Sequence, residues 1–170
     1  PRIGVLGEYF EVEAEAETRA HTAAVVAQLE RSGAQVRSVA LPSSFAAACA
    51  AQRVVMKVEM AAFHQPMFKT QREQYGPKIR DSIEAGLVIP GVSYLQARRL
   101  HRQFQQDIEA LFGEVDVLLT PATPAPAPRD RNTTGDAKFQ SPWTFAGAPA
   151  MAVPSGLSQG GMPLGIQLIA

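Results

Sequence analysis

Few residues in this sequence are of types that could do covalent or acid–base chemistry, and they are scattered. Ser155 stands in Pro154-Ser155-Gly156, after an apolar run and beside a glycine. A serine nucleophile needs a base within hydrogen-bond reach and donors for the oxyanion. Ser155 is not the serine of a GxSxG elbow, so it reads as a turn residue. His21, His64 and His101 fall in separate helical stretches. None has a His or Glu at i+4 and none lies in HExxH, so no metal ligation is expected. Cys49 lies in an alanine-rich stretch and reads as a small buried hydrophobe rather than a nucleophile. Gly33 could be mistaken for a phosphate-loop residue, but there is no GxGxxG after the first strand pattern and no GxxxxGK[ST] anywhere. No cofactor is expected.

The bulk properties exclude further classes. With 170 residues there is room for one domain with a sizeable core, and the 46% hydrophobic and 19% charged fractions are those of an ordinary globular chain. Acidic and basic side chains number 16 each, so no excess of cations is available to neutralise phosphates and direct nucleic-acid binding is not expected. No apolar run approaches the roughly 18–20 residues that span a bilayer. One cysteine cannot form an internal disulfide, which fits a reducing, cytoplasmic compartment. The first twenty residues lack the charged start and apolar core of a signal peptide. The chain begins at Pro1 and ends at Ala170 inside an apolar run, so neither end reads as a natural terminus.

The elements that must position these residues follow from periodicity. Residues 1–6 read as a short buried strand. The acidic run Glu8, Glu11, Glu13, Glu15 and Glu17 reads as a solvated loop and first helical turn, favoured by the helix dipole. A helix over 13–32 ends before Gly33, which suits the left-handed residue beyond a helix. Residues 35–41 alternate and form a second strand, giving a strand–helix–strand unit with parallel strands. Ser43 or Ser44 caps a helix over 45–64, ended near Pro66. Within it, Glu59 reads as a surface carboxylate, the other reading being a buried anchor for a neighbouring loop. Residues 71–86 form a shorter helical piece broken at Gly76-Pro77. Ser93 and Gln96 form a capping box for a helix to about Phe112, with Leu100, Phe104, Ile108 and Leu111 on one apolar face. Arg98, Arg99 and Arg102 lie away from that face and read as solvated. Residues 115–119 read as a buried strand, 120–128 as an extended proline-rich loop, and 129–138 as polar and mobile. Residues 151–153 and 164–169 pair as an antiparallel hairpin. The fold class is α/β, a mixed β-sheet flanked by helices.

The order of short motifs resembles the C-terminal part of the amidase signature family. The ordered set runs from a strand like 2–6 and Leu41-Pro42, through Glu59 and His64, to Tyr75-Gly76-Pro77, Ile79-Arg80 and Gly86. It continues with Tyr94-Leu95, Ala97 and Arg99, then Asp116-Val117-Leu118-Leu119-Thr120-Pro121. It closes with Ala146-Gly147, Pro149, Pro154, Gly156, Gly161, Pro163, Gly165 and Gln167. Each piece alone is weak; their order over the whole chain is specific. The resemblance implies a serine enzyme hydrolysing or transferring amides through a Ser–cis-Ser–Lys triad. Neither the Gly/Ser-rich segment bearing both serines nor the upstream lysine is present in these residues, so no catalytic residue is assigned and the chain alone is expected to be inactive. Residues 1–170 are then a single partial domain.

What the resemblance leaves to this part is sheet, helices and one wall of the substrate pocket. Residues 120–124 and 136–147 are the expected wall, with Asp136, Phe139, Trp143 and Phe145 as its side chains; packing of the loop onto the core is the competing role for them. In the family's glutamine-using tRNA amidotransferase, the catalytic chain grips the glutamine carboxylate with an arginine and its amine with an aspartate. Those positions align here with Ser82 and Ala137, and its Asn-Leu-Ala-Gly with Thr144-Phe145-Ala146-Gly147. Glutamine is therefore expected to be a poor substrate. The leading reading is part of a serine amidase acting on a small-molecule amide. The alternatives are the glutamine-dependent tRNA amidotransferase and a non-catalytic binding or assembly module. Strand edges at residues 1–6 and near Ala170 suggest a homodimer.

Overall fold

The computed structural model describes residues 1–130 and 132–170. Arg131, within the polar stretch expected to be mobile, lies outside the described residues. The chain forms two compact units. One comprises Pro1–Ser43 with Gln105–Ala170, the other Ser44–Phe104.

The first unit is built on a mixed five-stranded sheet. Its strands are β1 (Arg2–Val5), β2 (Gln35–Ser38), β3 (Val117–Pro121), β4 (Ala150–Leu157) and β5 (Pro163–Ile169), in the order β2-β1-β3-β5-β4. β1 runs parallel to both β2 and β3; β5 runs antiparallel to β3 and β4. β1 and β5 are thus interior strands and the edges are β2 and β4. The expected free edges at residues 1–6 and near Ala170 are a misreading, because each of those strands gains a partner distant in sequence. Val25, Val26 and Leu29 pack on the sheet face formed by Ile3, Leu119 and Ile166. They lie on a helix at Ala16–Arg31, followed by Gly33 at φ +91°.

Of the acidic run, Glu17 stands in the first turn of α2 (Ala16–Arg31) as expected and Glu15 occupies its N-cap position, but the part expected as loop folds as a separate short helix, α1 (Glu8–Glu13). Fully buried Phe10 anchors α1. The break at extended Ala14 is held by the Glu15 N–H on the Pro124 carbonyl at 2.7 Å and by the Arg19 guanidinium on the carbonyls of Glu11 and Ala14.

β3 extends through Thr120 and Pro121, two residues beyond the expected strand. Proline is tolerated because the β1 register ends at Val5–Leu119, so no ladder partner on that side needs the missing N–H. β4 is likewise longer than expected and is irregular between Pro154 and Gly156.

The second unit is helical: α3 (Phe45–Gln71), α4 (Pro77–Leu87) and the first part of α5 (Gly91–Leu111). Ser44 occupies the N-cap position of α3 without a capping bond from its side chain. α3 does not stop at Pro66 but continues through it, because Phe68 beyond the proline is buried with Ala61 and Ile83. Pro77 begins α4, as the Gly76-Pro77 break implies. α5 starts two residues before Ser93, with the Pro90 carbonyl accepting the Tyr94 N–H at 3.2 Å, so the expected capping box lies inside the helix. Phe104 and Ile108 are buried on the expected face, while Leu100 is exposed.

Candidate functional site

Where β3 leaves the sheet, the proline-rich segment and the β4–β5 hairpin enclose a groove of about 300 Å³. Its walls are residues 122–128, 134–136, 152–154 and 163–165. Alternating prolines keep the first wall extended and leave few N–H groups to satisfy. That wall is held to β5 by the Ala122 N–H on the Gly165 carbonyl at 3.0 Å, and it bonds to itself through the Thr123 hydroxyl on the Ala125 carbonyl at 2.7 Å. Gly165 permits the close approach of the hairpin strands: a Cβ there would stand 3.1 Å from the Val153 carbonyl oxygen.

Asp136 is the one ionisable side chain lining the groove among the described residues. Its Oδ1 accepts the Lys138 N–H at 2.9 Å. The Lys138 ammonium lies 3.5 Å from Asp136 Oδ2 and 2.7 Å from Glu13 Oε2. Its pKa is raised, first by the hydrogen bond to Glu13 and then, more weakly, by Asp136.

The other three expected wall residues sit behind the groove. Phe139, Trp143 and Phe145 are all buried. Trp143, on the short helix α6 (Ser141–Ala146), stacks on Phe10 with ring centroids 5.8 Å apart and planes 11° from parallel. Phe139 meets Phe10 edge-on at 4.9 Å and Tyr9 at 5.9 Å. α6 ends at Gly147, φ +72°. The structure thus separates the four: Asp136 opens onto the groove and the rings hold the segment that carries it. The hairpin wall, residues 152–154 and 163–165, was missed as a site from sequence. Only the cross-strand register brings it beside residue 122, although the Pro-x-Gly spacing marked both of its ends.

The motif residues of the second unit interlock with one another. Glu59 Oε1 accepts the Tyr94 hydroxyl at 3.1 Å and the Arg98 guanidinium at 3.0 Å. The Tyr94 pKa is raised by burial and by that carboxylate. His64 Nδ1 lies 3.1 Å from the Tyr75 hydroxyl. Glu59 is therefore a surface carboxylate that also ties α3 to α5. Arg98 has a partner there rather than being free in solvent, while Arg99 and Arg102 are exposed. Cys49 is half-buried, and burial raises its thiol pKa more than Arg53 lowers it.

Ser155 lies in β4 at the bulge, not in a turn. Its Oγ is 2.7 Å from His21 Nε2. No carboxylate among the described residues hydrogen-bonds the His21 ring, so the pair lacks the third member that orients a catalytic base. Among the described residues no group of three His, Cys, Asp or Glu side chains could hold a metal ion, and no helix is long and apolar enough to cross a membrane.

This geometry can hold an apolar group against a proline-lined wall, with a carboxylate at the rim. Among the described residues no serine–lysine pair lines it. Comparison with known proteins gives it a context. The family model described as Amidase matches residues 1–170. AtzE of Pseudomonas sp. (strain ADP), one of the subunits of 1-carboxybiuret hydrolase, is 32% identical, over 99% of this chain and 39% of its own length. The GatA-type chain of the glutamyl-tRNA(Gln) amidotransferase of Halothermothrix orenii is 27% identical, over 99% of this chain and 41% of its own. A solved amidase structure superposes with a TM-score of 0.90 at 25% identity, covering the whole of this chain and 41% of that one. The chain therefore spans about two-fifths of the length of these relatives.

Proposed function

This chain belongs to the amidase family, and we propose that it is the C-terminal portion of a serine amidase that hydrolyses a small carboxylic amide to acid and ammonia. The observation that carries this reading is the family match over residues 1–170, joined to a chain that spans about two-fifths of its relatives. The nucleophilic serine, its cis-serine relay and the activating lysine lie in the remainder. There the serine would attack the carbonyl, the relay would pass its proton to and from the lysine, and main-chain N–H groups would hold the oxyanion.

Residues 1–170 contribute shape. The wall of residues 122–128 and the hairpin form one side of the substrate site, with Asp136 at its rim. Phe139, Trp143 and Phe145 act through burial, Phe139 and Trp143 fixing the segment from 136 to 147 against Phe10. Glutamine is disfavoured as substrate. Ser82, at the position of the carboxylate-binding arginine, donates its hydroxyl to the Lys78 carbonyl of its own helix at 2.9 Å, and Ala137 offers no charge to an amine.

The test compares two purified proteins. The 170-residue chain alone should release no ammonia from aliphatic or aromatic amides. The protein encoded by the whole reading frame should release it, and faster from simple amides than from glutamine. Turnover by the chain alone would overturn the division of labour. Glutamine-dependent transamidation as the main activity would favour the second reading, the tRNA amidotransferase, which the 27% identity to such a chain supports. Ligand binding with no turnover by the longer protein would leave the non-catalytic module.

A further inference from the structure

A second cavity, sharing no lining residue with the proline-lined groove, lies at the ends of the parallel strands. Its volume is about 600 Å³, within the range of small-molecule sites. Val5 and Leu6 at the end of β1, and Pro121 at the end of β3, form its floor. The sheet order β2-β1-β3 explains the opening. From β1 the chain crosses to β2 on one side, and β3 returns to its other side. Connections leaving neighbouring strands in opposite directions part there and leave a crevice, the place where open α/β sheets hold their ligands.

The walls of the crevice are apolar. Ala16, Ala20, Ala23 and Ala27 recur along one side of α2 and face it, with Phe10 opposite. Small side chains on that side create the volume. The rim carries charge. Glu11 and Glu30 line both this cavity and a smaller adjoining one of about 280 Å³ that reaches β2. Neither carboxylate has a hydrogen-bond or ion-pair partner among the described residues. Arg19 directs its guanidinium to the carbonyls of Glu11 and Ala14, and Arg37 pairs with Glu114. Among the described residues, two carboxylates thus face one rim cation that is not paired with an acid. Phosphates and carboxylates are disfavoured on charge, and no glycine-rich phosphate loop follows β1.

We propose that this crevice binds a small molecule with an apolar body and a cationic head, an alkylammonium or arylalkylammonium group, with the body over Val5, Leu6 and the α2 alanines and the head between Glu11 and Glu30.

Calorimetric titration of the protein encoded by the whole reading frame with octyltrimethylammonium tests it, with octanoate as the anionic counterpart of equal chain length. One ammonium should bind per chain, and octanoate should not saturate. The Glu11→Gln/Glu30→Gln double variant should weaken the ammonium at least about tenfold. Ala23→Trp, at an exposed α2 position, should fill the crevice and abolish binding while the circular dichroism spectrum is unchanged; Ala20→Phe gives the same test at a second position. No saturable ammonium binding to the unaltered chain, equal affinity for octanoate, or full affinity in the filled variants would each overturn the proposal.

Discussion

Asp116, immediately before β3, accepts three hydrogen bonds from Arg2 at the start of β1. The main-chain N–H meets Oδ2 at 2.8 Å, and the guanidinium Nε and Nη2 meet Oδ1 at 2.9 and 2.7 Å. The Asp116 N–H returns a bond to the Arg2 carbonyl at 2.8 Å, so the two parallel strands begin in register. The Arg2 N–H first, then its guanidinium, holds the Asp116 carboxyl below the usual carboxylate range. A carboxyl lowered in the folded state stabilises above its unfolded value, near 4, and that contribution is lost as pH falls through the lowered folded value. Asp116→Asn should therefore lower the urea midpoint at pH 7, and the gap to the unaltered protein should close in acid, below the lowered folded value. The pair is solvent-exposed, so the gap is modest. A gap of equal size at pH 7 and in acid would mean the charge plays no part.

Gly86 on α4 is packed against α3. A Cβ at this position would lie 2.0 Å from the Lys57 carbonyl oxygen and 2.7 Å from the Ala61 Cβ. Alanine in place of glycine ordinarily helps a helix by about 1 kcal/mol. Here the two backbones must separate, and the overpacking outweighs that gain. Gly86→Ala should destabilise by about 2–3 kcal/mol net, read from chemical denaturation. An unchanged or raised midpoint would show that the helices have room.

The strand–helix–strand unit, Gly33 and the β4–β5 hairpin were legible because each is written in local pattern: alternation, a glycine where φ is positive, a turn between apolar runs. The misreadings fall where distant residues decide. Pro66 ends a helix in isolation, but burial of Phe68 against Ile83 carries α3 past it. Residues 1–6 look like an edge until β3, more than a hundred residues later, pairs with them. The site divides similarly. Asp136 could be picked out as a charge in irregular backbone. That Phe139 and Trp143 would turn inward depended on Phe10, whose helix was itself read as loop.

Pro66 gives a prediction of opposite sign. Inside α3 it removes one N–H···O=C bond and crowds the carbonyl four residues before it, at a cost of about 3 kcal/mol in a regular helix. Its own side chain is exposed, so little packing is lost on replacement. Pro66→Ala should raise stability by about 1–3 kcal/mol, measured by thermal and urea unfolding. A loss of stability would mean that a bend at Pro66 is needed to bring Phe68 to its buried position.

His21 and Gly156 should show energetic coupling. A Cβ on Gly156 would stand 2.6 Å from His21 Cε1, while the same ring bonds Ser155 through Nε2 at 2.7 Å. Gly156 is not among the glycines with positive φ, so space rather than backbone conformation excludes a side chain there. Gly156→Ala must push the ring aside and break the bond to Ser155, which is worth about 1 kcal/mol net. The cost should be roughly 1–2 kcal/mol with His21 present and largely vanish in the His21→Ala background, a coupling of about 1 kcal/mol in the double-mutant cycle. Ser155→Ala alone should cost only the hydrogen bond. If Gly156→Ala costs the same in both backgrounds, the bulge itself demands glycine, and the ring approaches it only because the space is there.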